Sequence, residues 1–120
     1  MLNLDTHILI HAVSNLLTPA ERQVLAADEW GISDIVFWEI EMLYIRGRIK
    51  FGSDHPPLID ALRRVKIWPI NREVCQRLRT LDFHADPADE IIAATSLAHN
   101  VPLVTRDDKI RTSKLLRFCP

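Results

Sequence analysis

Short apolar runs alternate with segments of helical spacing along most of the chain. The predicted strands are Leu2–Asp5, Trp30–Ser33, Lys66–Ile70 and Val101–Thr105, the third of them interrupted by Pro69. Helices are predicted at Thr6–Val13, from Pro19, at Ile35–Arg46, from Pro56 to Val65, after Asn71 through Leu81, and from Pro87 to about Asn100. Strands that alternate with helices predict an α/β fold in which helices cover both faces of a mainly parallel sheet.

Several helix ends are marked by the residues themselves. Thr18-Pro19-Ala20-Glu21 places an N-cap, a proline at the first helical position and a capping-box acid in order. Thr6 is the predicted cap of the first helix, and either Ser33 or Asp34 is the predicted cap of the third. Gly47 supplies the stop signal of that third helix.

Composition limits the class of protein. With 120 residues, 48% of them hydrophobic and 26% charged, we expect a single domain over residues 1–120. No apolar run approaches the roughly 20 residues that span a bilayer, and a strand that begins at Leu2 leaves no room for a secretory signal. We therefore expect a cytoplasmic protein without a membrane partner. Cys75 and Cys119 lack CxxC spacing and are predicted to be free thiols.

Four acidic residues occupy unusual positions. Asp5 and Asp107 each follow a predicted strand, while Glu39 and Asp89 lie on helical segments with many apolar neighbours. The carboxyl ends of parallel strands form the edge where α/β proteins bind ligands. Because burial of unpaired carboxylates costs several kcal/mol each, a cluster of them requires a cation. Oxygen ligands favour Mg²⁺ or Mn²⁺ over zinc.

Local pattern does not decide which acid of the third helix would join this cluster. Glu41 rivals Glu39, and two residues on one helix point about 200° apart, so only one of the two can face the site. Glu41 is otherwise interpreted as an exposed acid near Arg48.

Each of the other acids also has a local explanation. Asp86 and Asp89 fit a capping arrangement around Pro87, while Asp107 and Asp108 fit a turn after the last strand. Asp5 has no capping role beyond the one that Thr6 already supplies.

His7 and His11 have the i, i+4 spacing of a zinc-binding pair. No third ligand follows at a suitable distance, which favours two solvent-facing histidines.

The charge distribution favours a phosphate-containing ligand more than the net charge does. Removing the four acids from the formal net charge of −1 leaves +3. The basic residues that form short clusters are Arg46, Arg48, Lys50, Arg63, Arg64, Lys66, Arg106, Arg111, Lys114 and Arg117. An acidic centre within a basic surface suits a phosphate backbone that reaches a metal ion, although any single cluster is equally well explained as a solvated helix face.

The ordered motifs of the chain resemble those of the PIN domain, above all of its VapC-type toxin ribonucleases. These motifs are Leu4-Asp5-Thr6, Trp38-Glu39-Ile40, Asp86-Pro87-Ala88-Asp89 with Ile92-Ala93-Ala94-Thr95, and Leu103-Val104-Thr105-Arg106-Asp107. The resemblance extends from Met1 to about Ile110. It implies a three-layer α/β/α domain in which four acids meet, bind Mg²⁺ or Mn²⁺ and hydrolyse RNA.

By position, the resemblance assigns the metal-binding and catalytic roles to Asp5, Glu39, Asp89 and Asp107, with Thr105 as a hydrogen-bonding support. It thereby favours Glu39 over Glu41 and Asp89 over Asp86. Glu90 departs from the pattern, because many relatives have a basic residue there. Whether Asp86 or Glu90 assists the site stays open.

The leading functional hypothesis is therefore a metal-dependent endoribonuclease that acts as the toxin of a type II toxin–antitoxin pair. The alternatives are a PIN nuclease for RNA processing or for structured DNA, and a cation-binding interaction module without catalysis. The resemblance also implies an antitoxin partner and a homodimer. The expected interface draws on an apolar set formed by Trp30, Phe37, Trp38, Tyr44 and Ile45.

Overall fold

The centre of the molecule is a four-stranded parallel sheet, described here from a computed structural model of residues 1–120. Its strands are β1 (Leu2–Leu4), β2 (Trp30–Ser33), β3 (Val65–Trp68) and β4 (Leu103–Val104). They lie in the order β3-β2-β1-β4, and every neighbouring pair is parallel. In the register, Asn3 faces Gly31 on one side and Leu103 on the other.

Six helices flank the sheet. They are α1 (Thr6–Val13), α2 (Pro19–Ala26), α3 (Ile35–Ile45), α4 (Pro56–Leu62), α5 (Arg72–Arg77) and α6 (Pro87–His99), with short 3-10 turns at Leu78–Thr80 and Ile110–Thr112. Helix α6 packs against α3, α5, β1 and β2, while α1 packs against α3 and α4. The predicted α/β/α architecture with a parallel sheet is confirmed. None of the helices is both long enough and apolar enough to cross a membrane.

A buried asparagine ties the sheet to α6. Asn3, in the middle of β1, is fully buried, and its Nδ2 donates to the carbonyl oxygen of Ile92 (3.0 Å) and to the Oγ of Ser96 (2.9 Å). The two acceptors lie one turn apart on α6, so these bonds fix both the position of the helix along its axis and its rotation about that axis relative to β1. Asp89, one turn before Ile92, is thereby directed towards the end of β1.

Strand boundaries were the least accurate predictions. The predicted helix from Pro56 to Val65 ends at Leu62, because Val65 already pairs with Trp30 and begins β3. That strand ends at Trp68, one residue before Pro69, which has no N–H for the ladder. The last strand contains only Leu103 and Val104 of the predicted Val101–Thr105. The fifth helix is also shorter than predicted and continues as a 3-10 turn.

Two cap assignments had different outcomes. The capping box of α2 is confirmed, since Glu21 N–H donates to Thr18 Oγ1 (3.2 Å) and Thr18 N–H donates to Glu21 Oε1 (2.9 Å). The prediction that Thr6 caps α1 was wrong. Asp5 is the N-cap and its Oδ1 accepts from the Thr6 N–H (2.8 Å), so this acid does have a local role. The two cysteines are free thiols, as predicted.

Candidate metal centre

Three of the predicted acids meet at the carboxyl end of the sheet. Asp5 directly follows β1, Glu39 lies on α3, and Asp89 lies in the first turn of α6. One carboxylate oxygen from each lies within 4.8 Å of the others. Three different elements thus place three carboxylates around a space that suits a single ion.

Asp5 is the most strongly fixed member of this acid cluster. Its side chain is buried, with 3% exposure. Oδ1 accepts from the Thr6 N–H (2.8 Å), and Oδ2 accepts from the Thr105 hydroxyl (2.6 Å). Each carboxylate oxygen can accept a second bond, so these donors orient the group and leave acceptor sites for a cation.

Thr6 forms hydrogen bonds to two of the acids, a role that was not predicted from the sequence. Its N–H donates to Asp5, and its hydroxyl donates to Glu39 Oε1. Thr6 is fully buried at the start of α1. The available signal was its position directly after an acid that follows a strand, where both its amide and its hydroxyl face the carboxyl edge of the sheet.

The electrostatics of the cluster oppose ionisation of all three acids. Burial raises the pKa of Asp5 and of Glu39, and the hydrogen bonds from Thr105 and Thr6 offset only part of that effect. The pKa of Asp89 is raised to about 7, first by burial and then by the negative charges of Asp5 and Glu39. A cation between these oxygens would remove the repulsion, so the donor set fits a divalent metal ion.

Asp107 lies beside this cluster and makes a local turn. Its charge contributes to the raised pKa of Asp5 and of Asp89. Its Oδ1 accepts from the Ile110 N–H (3.0 Å), and its own N–H donates to Thr105 Oγ1 (3.0 Å). The turn predicted after the last strand therefore exists, and it leaves the second carboxylate oxygen of Asp107 free.

The start of α6 differs from the predicted capping arrangement. Asp86 occupies the N-cap position, but its side chain makes no capping hydrogen bond, so that interpretation of its carboxylate was wrong. Its charge instead adds to the raised pKa of Asp89. Glu90 points back along the chain, where its Oε2 accepts from the Ala85 N–H (3.1 Å).

Glu41 faces away from the acid cluster. Its Oε1 accepts from the backbone N–H (2.8 Å) and the hydroxyl (2.6 Å) of Ser53, and these bonds lower its pKa. The expectation of an exposed acid was wrong, because Glu41 is half-buried and its hydrogen-bond partner is Ser53, in the loop that precedes α4. The structure thus separates the two acids of α3 in the way that their angular spacing requires.

The two histidines of α1 do not share one environment. His7 is exposed, as predicted, and a positive charge there would favour ionised Asp5 and Glu39. His11 is half-buried rather than solvent-facing, and its burial lowers its pKa.

A surface cavity of about 690 Å³ lies elsewhere on the molecule. It adjoins the first residues of β2 and β3, Trp30 and Val65, and none of the clustered acids lines it. These strands run parallel, so this cavity is at the opposite edge of the sheet from the acids.

Comparison with known proteins identifies the family. The sequence profile of the PIN domain matches residues 3–114. Ribonuclease VapC22 of Mycobacterium tuberculosis (strain ATCC 25618 / H37Rv) is 30% identical over 118 residues, which cover 92% of this chain and 90% of that protein.

Solved structures agree on the fold. The VapBC2 structure from Rickettsia felis, bound to a DNA fragment from its promoter, has a TM-score of 0.75 at 21% identity, covering 98% of this chain and 97% of that one. A toxin–antitoxin complex from Klebsiella pneumoniae has a TM-score of 0.71 at 22% identity, covering 100% and 98%. The chain therefore belongs to the PIN domain family, as the order of its four motifs predicted.

Proposed function

We propose that this protein is a Mg²⁺- or Mn²⁺-dependent endoribonuclease, the toxin of a VapBC-type toxin–antitoxin pair. The observation that carries the proposal is the acid cluster of Asp5, Glu39 and Asp89, whose oxygens lie within 4.8 Å of one another. The relative from Mycobacterium tuberculosis is named a ribonuclease, and the structural neighbours are toxin–antitoxin complexes.

In this proposal the chain's own residues assemble and orient the reaction centre. Asp5, Glu39 and Asp89 hold the ion, and Asp107 completes the site as the fourth acid. The ion would act as a Lewis acid that lowers the pKa of an attacking water and neutralises charge on the phosphate. Thr105 keeps the Asp5 carboxylate in one orientation, which limits the reorganisation that the reaction requires.

A basic side chain follows the site along α3. Arg46 is the C-cap of α3, seven residues after Glu39, which places it about two turns and about 10 Å further along the helix axis. It is exposed, as are Arg48 and Lys50. We propose that this segment binds phosphates next to the one that is cleaved, where a guanidinium can make paired hydrogen bonds.

The apolar surface of α3 supports the proposed protein partners. Trp38, Tyr44 and Ile45 are exposed by 52%, 49% and 70%, whereas Trp30 and Phe37 pack partly against the core. An antitoxin segment and a second copy of the chain would each cover apolar surface of this kind. Of the five predicted interface residues, these three are the candidates that remain exposed.

The decisive experiment is RNA cleavage by purified protein in Mg²⁺, in Mn²⁺ and in EDTA. We expect cleavage only with a divalent ion, and its loss in Asp5→Asn and in Glu39→Gln. Glu41→Gln is the matched control, because it changes a carboxylate of the same helix that bonds Ser53 instead of the cluster. Cleavage by Asp5→Asn at the wild-type rate would overturn the assignment.

The same assay separates the alternative functions. Cleavage that stops when the product of a neighbouring gene is added supports the toxin. Preference for structured DNA, or cleavage that this product does not inhibit, would instead support another PIN nuclease. A protein that binds Mn²⁺ at the cluster but cleaves neither nucleic acid would be an interaction module.

A further inference from the structure

Arg106 connects the acid site to α2. It stands between Thr105 and Asp107, and its guanidinium faces Glu21 rather than the acid cluster. Nε donates to Glu21 Oε2 (2.7 Å), and Nη2 donates to Glu21 Oε1 (2.6 Å) and to the Leu16 carbonyl oxygen (3.1 Å). Such a paired arrangement fixes direction as well as distance.

Glu21 is buried and is itself held in place. Its exposure is 7%, and besides Arg106 its Oε1 accepts the backbone N–H of Thr18 (2.9 Å). The bond with Arg106 is the main reason that its pKa falls to about 2. The ion pair is therefore charged at neutral pH. Removal of Arg106 would leave the buried Glu21 carboxylate without compensation, whereas the guanidinium of Arg106 is partly exposed.

The segment that carries Arg106 is held by turn and side-chain hydrogen bonds, among them those that Asp107 accepts from the backbone N–H groups of Ile110 (3.0 Å) and Arg111 (3.1 Å). The last strand ends at Val104, and residues 105–107 belong to no helix or strand. Within this segment, Thr105 donates to Asp5 Oδ2 (2.6 Å) and accepts from the Asp107 N–H (3.0 Å). Arg111 adds one bond to the Thr105 carbonyl oxygen (3.0 Å).

We propose that Glu21 is a positioning residue for the metal site: through Arg106 it holds Thr105 against Asp5 and keeps Asp107 at the edge of the cluster. Glu21 touches neither the ion nor the substrate in this scheme. Its effect is transmitted over one peptide bond on each side of Arg106. The inference rests on the proposed metal-dependent function of the acid cluster.

The test is Mn²⁺ affinity of the full-length protein, measured by isothermal titration calorimetry and by electron paramagnetic resonance. Residues that support metal ligands typically change metal affinity by roughly 10- to 100-fold, and we expect about 10-fold weaker binding for Glu21→Gln. Cleavage by this variant should recover when Mn²⁺ is raised in proportion, because the ligands themselves are intact. Thermal melting in EDTA measures any loss of folding separately.

Thr18→Ala is the matched control. It removes the hydroxyl that caps α2 but keeps the Thr18 N–H that bonds Glu21, so the ion pair stays in place. We expect its melting temperature to fall while its Mn²⁺ affinity stays within about twofold of wild type. Equal weakening of Mn²⁺ binding in Thr18→Ala and Glu21→Gln would show that α2 stability alone matters, and would overturn the inference.

Two further variants keep the test informative if Glu21→Gln fails to fold. Arg106→Lys preserves the charge but not the paired geometry, and should weaken Mn²⁺ binding in the same direction. Glu21→Asp should retain part of the affinity. If Glu21→Gln does not fold, wild-type Mn²⁺ affinity in Arg106→Lys would refute the positioning role.

Failure of this inference is distinguishable from failure of the proposed function. Asp5→Asn removes a proposed ligand directly. If Asp5→Asn loses Mn²⁺ binding while Glu21→Gln keeps it, only the positioning role is wrong. If Asp5→Asn binds Mn²⁺ like wild type, the metal site itself is wrong.

Discussion

Neutralising Asp89 should stabilise the metal-free protein. In the folded state, burial and the charges of Asp5 and Glu39 raise the pKa of Asp89 from 3.8 to about 7. The unfolded chain lacks both effects, so ionised Asp89 favours unfolding. Asn has nearly the same shape without the charge, and Asp89→Asn therefore removes a penalty that wild type retains above neutral pH.

The size of that penalty follows from the pKa difference. About three units at 1.36 kcal/mol per unit amount to about 4 kcal/mol. Asp89 is only half-buried, and solvent screens part of the interaction, so we expect about 2 kcal/mol. For a chain of 120 residues this corresponds to a rise of about 8 °C in melting temperature.

The pH dependence has a defined sign. At a pH between 3.8 and about 7, Asp89 is mostly protonated in the folded state and mostly ionised in the unfolded state. The free energy of unfolding therefore falls as pH rises from about 4 to about 7. Between pH 5.5 and pH 8, wild type in EDTA should lose about 1 kcal/mol more than Asp89→Asn.

The assay is urea unfolding and thermal melting in EDTA at both pH values. Asp108→Asn is the matched control, since Asp108 is exposed and adjacent to Asp107. Its free energy of unfolding should stay within about 0.5 kcal/mol of wild type. In saturating Mn²⁺, wild type should be more stable than Asp89→Asn, because wild type gains more binding energy from the ion than the variant does. An Asp89→Asn protein that is less stable than wild type at pH 8 in EDTA, with the same pH dependence, would refute the reasoning.

Three further predictions concern the metal site, the Thr105 hydroxyl and the packing of Gly31. Mn²⁺ at about 100 times its dissociation constant should stabilise wild type by about 2.7 kcal/mol, and an unchanged melting curve would contradict a metal site. Thr105→Val should weaken Mn²⁺ binding and destabilise the protein by about 1 kcal/mol, because it removes the hydroxyl bonded to Asp5; unchanged calorimetry would argue against this support. Gly31→Ala should lower the free energy of unfolding in urea by about 1–3 kcal/mol, since an added Cβ would lie 2.3 Å from the Trp68 ring. Gly47→Ala is the comparison that tests backbone strain alone, because Gly47 has a φ of 71° and open space around it.

Elements specified by neighbouring residues were predictable from the sequence. The capping box of Thr18 and Glu21 forms within four residues, and β2 has the predicted bounds Trp30–Ser33. The end of α4 was not predictable in this way. Val65 leaves helical spacing because it pairs with Trp30, which is 35 residues away and whose alignment depends on the whole sheet.

The membership of the acid cluster depends on distant contacts even more strongly. Helix α3 has apolar residues on nearly every side, so its pattern does not reveal which face is turned to the sheet. What separates Glu39 from Glu41 is the position of their donors, Thr6 for the first and Ser53 for the second. The resemblance to the family chose Glu39, whereas composition and spacing left both possible.

The chain treats its buried and half-buried acids in two physically different ways, and the difference bears on the proposed cation site. Glu21 is paired with the guanidinium of Arg106, and its pKa falls to about 2, so its charge is already neutralised within the fold. Asp5 and Glu39 receive only neutral donors, from Thr6 and Thr105, and their pKa values rise. Amide and hydroxyl donors orient a carboxylate without cancelling its charge. Under the proposed function, the acids held by neutral donors are therefore the ones whose charge is left for a metal ion, whereas the charge of Glu21 is already compensated by Arg106.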